Sequence, residues 1–465
     1  MLNIALILTA LVSLVCIIQP RWMLPACILV GYLQDPLRKV IAGEPVFIIL
    51  IVGVVFAAGT LGYLLQNGIT SIFEIQFWTP EFKLPMLLFF FLLAFQSLFS
   101  YLSYENPFLT VIGLMAYFSP LLAISISYFS FRKSKSLENI LWFYSFIAFF
   151  LALTVLMSFS GYEHTLLNEV GEGLFIYDQG TILKAHAGFM RSSEIAGWHM
   201  GASACFLVIL SFSSGKRSAI VFCSIAILLL LIAIALTGRR KMIMQFFIFL
   251  SFYSLFYLYF RRAMSSQILA MLALVLISFW VVSVYIFPSL SSSEIDLYYA
   301  RGVSVFGDAD ERFRELGLGS ISWAINRVGW FGGGVGIASQ GTGSFGVNIA
   351  GGAGEGGLGK IVVELGVPGL LILAWLAWVT FKFFLKTLRF VSQTDNFESR
   401  FAIGIVAFVI ANIPTYIVAS QVYGDLYVLI LLGFLVGFIF ALPKIMFIRK
   451  EKERMLAEMN SKELV

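Results

Sequence analysis

Charge is scarce in this chain. Asp, Glu, Lys and Arg make up 12% of its 465 residues, hydrophobic residues make up 60%, and the mean hydropathy is +0.92. So little polar surface cannot enclose a soluble core of this length, which excludes an ordinary globular enzyme. Cysteine is rare too. The four present, Cys16, Cys27, Cys205 and Cys223, lie in or beside apolar runs, which argues against a disulfide framework or a thiolate metal site. The three histidines, His164, His186 and His199, are scattered without metal-ligand spacing. A "GGGVG" stretch follows no strand and precedes no phosphate-binding lysine pattern, so nucleotide binding is not expected. The formal charge of +5 requires no nucleic acid, because the excess sits in short loops and in the tail "KIMFIRKEKER".

What the chain has instead is long apolar runs rich in Leu, Ile and Phe. Each can satisfy its own backbone hydrogen bonds as a helix, whereas a β-barrel would show short alternating segments. Runs of spanning length or slightly less occur near 2–18, 22–34, 46–65, 84–103, 107–129, 139–159, 197–213, 219–237, 242–260, 266–287, 366–385, 401–419 and 423–442. The second is short and holds a proline, so the expected fold is an all-α polytopic transmembrane bundle of about twelve or thirteen spans. The first run lacks a basic leader and a small-residue cleavage site and reads as a retained span. The expected organisation is N-terminal spans over 1–160, a first outer loop over 161–196, and spans over 197–287 interrupted by a basic turn at 238–241. A large outer loop over 288–365, further spans over 366–442 and a basic cytoplasmic tail over 443–465 complete it.

"FRKSKS", "GKRS", Arg261 with Arg262, the segment from Lys382 to Arg400 and the tail fall on one side if the later spans alternate, and the positive-inside rule makes that side the cytoplasm. The opposite face receives the two long loops, which carry more acidic than basic side chains. It also receives "TGRRK", residues 237–241, so Arg239, Arg240 and Lys241 break the pattern of their side. Arg191, Arg301, Arg312 and Arg314 lie on that face as well. Within the large loop, "ERFRELGLGSISWAINRV" spaces Phe313, Leu316, Ile321, Ile325 and Val328 as an amphipathic helix on the membrane face would. Thirteen glycines within 332–359 follow it, a tract suited to close backbone approach to a ligand.

Guanidinium groups stay charged and grip phosphate oxygens in pairs, so an arginine cluster on this face suits a lipid-linked diphosphate. Contact with lipid headgroups is the plainer reading. Glu194, beside Arg191, and Glu355, inside "GGAGEGGLGK", are the carboxylates placed to accept a proton from a sugar hydroxyl, or else are solvated loop acids. Lys360 closes the same stretch and extends the cationic set. Asn412 and Pro414 in "ANIPTYIV" mark either a broken transporter helix or a packed kink.

The order "LTGRRK", then "ERFRELGLGSISW", "GWFGGGVG" and "EGGLGKIVVELGVPGLL", resembles the O-antigen ligase and polymerase superfamily of bacterial envelope and exopolysaccharide assembly, over roughly residues 180–385. The resemblance implies a metal-independent, inverting glycosyltransferase without cofactor in the bacterial cytoplasmic membrane, its site facing the periplasm or exterior. The donor would be a polyprenyl-diphosphate-linked oligosaccharide and the acceptor a growing glycan, with membrane lipids, a flippase and a chain-length regulator as partners. By position, Arg191, Arg239 and Arg312 or Arg314 take the places of the family's outer-face arginines, with Arg240 and Lys360 beside them. Ligases carry a histidine nine residues ahead of the "E.G..G" glutamate; here that place, counted from Glu364, holds Glu355. The departure favours a polymerase over a ligase that attaches finished glycan to lipid or protein. A transporter of lipid-linked sugars is the reading from another class, and would need polar residues at mid-span.

Overall fold

The computed structural model describes residues 1–68, 80–131, 134–168, 170, 175–178, 181–214, 217–261, 273, 293–304, 307, 309–339, 355–393 and 396–463. Among them the chain is almost entirely helical: α1 (Leu2–Ile18), α2 (Met23–Val40), α3 (Ile51–Asn67), α4 (Pro80–Tyr104), α5 (Pro107–Ser130), α6 (Ser134–Phe159), α7 (Ser193–Ser214), α8 (Arg217–Leu236) and α9 (Arg240–Arg261). The second half adds α10 (Ser293–Ser304), α11 (Gly319–Val328), α12 (Gly357–Ser392), α13 (Asn396–Val418) and α14 (Leu426–Glu463). Ten helices among the described residues are long and apolar enough to cross a membrane, which makes the chain a multi-pass membrane protein. Neither α1 nor α2 is among these ten, and α2 carries Asp35, Arg38 and Lys39 in its last turns. The run expected over 266–287 lies outside the described residues but for one position.

At the centre stands α7, whose apolar window is wholly buried. Its small residues let neighbours approach: Gly197 faces Met242 and the Thr237 hydroxyl, and Trp198 and Phe206 pack on Phe408 of α13. The periphery is the reverse, with Leu65, Phe91, Leu102, Phe146 and Ile225 exposed as hydrocarbon requires. The two ends of the bundle differ. At one, Arg261 donates to the Ser392 carbonyl, Arg400 to that of Phe212, and Arg449 and Lys386 pair with Glu398 and Glu81. These are the basic segments expected on the cytoplasmic side. The other end gathers the start of α7, α9, α12 and α14 and the close of α2, α8 and α13, and is called the site end below.

Two features of the site end differ from the sequence expectation. The segment between α6 and α7 holds a β-hairpin, β1 (Phe175–Asp178) with β2 (Thr181–Lys184), paired antiparallel with Asp178 opposite Thr181. Tyr298 of α10 donates to the Lys184 carbonyl, fastening α10 to this hairpin. Meanwhile α12 begins at Gly357, inside the residues expected as loop, and is kinked at Gly366, where φ is 71°. Pro368 follows, and the expected start at 366 is this kink.

The amphipathic segment does form, as a turn over Ala309–Arg312, a π-helical turn over Phe313–Leu318, and α11. Three of its five apolar positions turn inward, while Phe313 stays exposed. Ile321, Ile325 and Val328 pack with Val362 and Val363 of α12 and with Ile337, because the following turn folds back onto the kink. Gly333 N–H donates to the Val363 carbonyl (2.7 Å) and Val367 N–H to that of Trp330 (2.9 Å). Buried Glu364 locks this turn, accepting from the Tyr117 hydroxyl (2.6 Å) and the Ala338 amide (3.2 Å). Gly334 and Gly336 have φ of 106° and 92°, and a Cβ on Gly336 would stand 2.1 Å from the Leu109 carbonyl oxygen. Over 332–336, then, Gly332 approaches the α12 kink, and Gly334 and Gly336 approach α4 and α5. Residues 340–354 lie outside the described residues.

Candidate functional site

The basic turn is built by Thr237, Gly238 and Arg240. Thr237 ends α8 and its hydroxyl accepts from the Arg239 amide (3.2 Å); Gly238 takes a left-handed conformation, φ 67°, that reverses the chain; Arg240 starts α9. The turn thereby presents Arg239 and Lys241 toward the start of α7. Arg239 forms an ion pair with Glu194 (3.0 Å) and donates Nε–H to the Ser193 hydroxyl (2.9 Å). Lys241 donates to the same Glu194 (2.8 Å) and to Gln421 (3.1 Å). Arg240 is buried and donates to Ser304 of α10, while Arg301 donates to the Gly238 carbonyl (3.0 Å).

Glu194 therefore differs from its first reading. Its carboxylate receives two cations and is about 12% exposed, so it arranges Arg239 and Lys241 and is poorly placed to take a proton from a sugar. Glu355 is exposed and within electrostatic reach of Lys241. Its backbone carbonyl accepts from Ser420 (2.8 Å), whose neighbour Gln421 holds Lys241, so the start of α12 abuts the basic turn.

Arg191 is part of a different constellation. Its Nη1 donates to Asp35 (2.9 Å), its amide to the other oxygen of Asp35 (3.0 Å), and its Nη2 to Asp425. Asp425 also caps α14, accepting from the Tyr427 amide (2.7 Å). Burial opposes the charge on Arg191, yet the two carboxylates raise its pKa above the ordinary arginine value. The group is a clasp between α2, α7 and α14 in which both terminal nitrogens of the guanidinium are engaged. Nearby Lys39 donates to the carbonyls of Leu166 and Gly188 (3.0 Å each), tying down the segment between α6 and α7.

The arginines of the amphipathic segment are not gathered into the cluster by any contact among the described residues. Arg314 is exposed and pairs with Asp310 one turn earlier (2.8 Å), and Arg312 is half-buried. Asn412 resolves toward packing: it accepts from Trp198, Gln245 and Tyr423 at 2.9 to 3.0 Å inside an unbroken α13. The sequence reading missed Asp35, Asp425, Ser193 and Gln421, and used Glu364 only as a motif position. Only Ser193 lay close to a residue already singled out.

His186 carries a pH dependence. Burial, helped by the charge of Lys184, lowers its pKa to about 4, and Phe159 and Tyr298 flank its ring. A depressed histidine stabilises folding fully above its unfolded value, near 6.5, and that contribution fades as pH falls toward 4. Acidification across this window is expected to loosen the packing of the α6–α7 segment on α10. Hydrogen exchange at residues 182–187 checks it, and His186→Phe should flatten the dependence.

No protein-family model matches this chain, and no curated protein matches it.

Proposed function

We propose that this protein is a polysaccharide polymerase: an inverting, metal-independent glycosyltransferase that joins polyprenyl-diphosphate-linked glycan units on the outer face of the bacterial cytoplasmic membrane. The observation that carries the reading is the convergence of Arg239 and Lys241 at the site end, where Glu194 arranges both beside the start of α12. A departing diphosphate concentrates negative charge as the glycosidic bond breaks, and such preset cations stabilise it most at that moment. In the step proposed, an acceptor hydroxyl oxygen attacks the anomeric carbon and the bond to the diphosphate breaks, its electron pair leaving on the diphosphate oxygen. The hydroxyl proton passes to the Glu355 carboxylate. Lipid-facing helices around the site end suit a donor whose tail stays in the bilayer.

Ligation to a different acceptor uses the same donor chemistry; Glu355 standing in the ligase histidine's place favours polymerisation. Transport is less favoured, because the mid-span polar group at Asn412 is consumed by internal hydrogen bonds. The Glu355→Gln variant is expected to bind lipid diphosphate normally and to lose transfer on the order of 100-fold. Polymer length in cells lacking the native gene, with donor binding measured in parallel, checks it; unchanged polymer would remove Glu355 from the chemistry.

A further inference from the structure

Non-helical backbone at membrane depth is tolerated only where protein covers its polar groups. The turn that follows α11 meets this condition below the end of the bundle. Gln96 of α4 donates its side-chain amide to the Phe331 carbonyl, and its own backbone carbonyl accepts from the Val335 amide (3.4 Å). Ser100 of the same helix donates to the Val335 carbonyl (2.9 Å). Gln96 lies eight residues before Tyr104, where α4 closes at the site end, an axial distance of about 12 Å. The fastening to α12 gives the same level independently. Val367 at the kink donates to the Trp330 carbonyl, and Gly366 is nine residues, or about 14 Å, inside Gly357. Two spans therefore hold this turn well inside their own ends.

At that level Trp330 and Phe331 point away from the protein, 63% and 74% exposed. Gly329 and Gly332, with φ of 82° and 79°, bracket the pair and make the turn tight. A Cβ on Gly366 would stand 2.5 Å from the Phe331 carbonyl carbon, so α12 covers the backbone and the exposure belongs to the rings. On α4, Phe95 and Phe99 are exposed on either side of Gln96, and beyond the kink α12 exposes Leu371, Trp375 and Trp378. The two aromatic rings thus continue the apolar surface that these spans present to lipid. Exposed Arg327 precedes the turn, and its long stem can carry the guanidinium up to the headgroups.

We propose that residues 329–336 form a re-entrant turn immersed in the leaflet at the site end, with the Trp330 and Phe331 rings packed among phospholipid acyl chains. The occupant is lipid hydrocarbon and not a second copy of the chain, because the rings stand at span depth between helices whose exposed side chains at that level are apolar. The immersed turn requires only the multi-pass fold and no glycan chemistry. It has a consequence for the site: α12 hangs from the turn through the Gly333–Val363 and Trp330–Val367 bonds. Immersion therefore fixes the depth of the kink, and with it the height at which Glu355 and the start of α12 meet water.

The test uses full-length protein in nanodiscs of phosphatidylcholine and phosphatidylglycerol, with a nitroxide on Phe331→Cys; the four native cysteines are buried. The references are Phe95→Cys for hydrocarbon and Arg314→Cys for water. The label at 331 is expected to collide with dissolved oxygen as the one at 95 does, and to be shielded several-fold from a water-soluble nickel chelate relative to the one at 314. Nickel accessibility equal to that at 314 would overturn the immersion. Shielding from both reagents would overturn it as well, since it marks a protein cover such as a second copy. A further measurement leaves the turn without a label. Phospholipid brominated in the upper acyl chain should quench the tryptophan emission that Trp330→Phe removes, whereas an equal difference between the two proteins in brominated and plain lipid would place the ring outside the hydrocarbon.

Discussion

Replacing Arg239 by lysine is expected to cut polymer formation about 100- to 1000-fold in a protein that still folds and inserts, the range typical for loss of one preset donor to a developing oxyanion. The side chain works as a fork: Nε engages Ser193 while Nη1 engages Glu194. A lysine keeps the charge but offers one compact ammonium, which Glu194 alone would draw away from the position the diphosphate needs. Lys241→Ala should be milder, since it removes a point charge that shares Glu194 with Arg239. Arg314→Ala is expected to remain within about two-fold of wild type, because its exposed pair with Asp310 contributes little. Full-length polymer from Arg239→Lys would mark this cluster as an anchor for lipid headgroups.

The second large effect falls on stability. Arg191→Met leaves Asp35 and Asp425 facing each other without their cation, at 1% and 3% side-chain exposure, and breaking such a pair from one side costs about 3–5 kcal/mol. Expression and thermal unfolding in detergent should both fall steeply. Adding Asp35→Asn and Asp425→Asn to Arg191→Met should restore much of the loss, because no buried charge then remains. Were Arg191 a diphosphate ligand instead, the single variant would melt normally and lose only donor affinity.

The contrast between these arginines shows what was legible in the sequence. Apolar runs announce helices through local composition, and the charge pattern of the loops separates the two ends of the bundle. Arg239 and Lys241 stood out because cations interrupt an acidic face. The role of Arg191 did not, since its partners lie 156 and 234 residues away and no local pattern encodes that meeting. The glycine tract was ambiguous for a related reason: glycine reports that backbone must pass close to something, and for Gly332, Gly334 and Gly336 that something is α12, α4 and α5. The start of α12 was hidden by its own glycines, which read as loop although Leu316, Ser320 and Tyr416 leave no room for side chains there.

The most direct measurement of the central claim is reconstitution: full-length protein in lipid nanodiscs, supplied with a polyprenyl-diphosphate-linked repeat unit and a metal chelator, with glycan length and released polyprenyl diphosphate quantified together. The account predicts elongation in chelator, with one free polyprenyl diphosphate for each new glycosidic bond and inversion at the anomeric carbon. Lipid-linked units that stay intact under these conditions, or turnover that appears only when magnesium is returned, would contradict it.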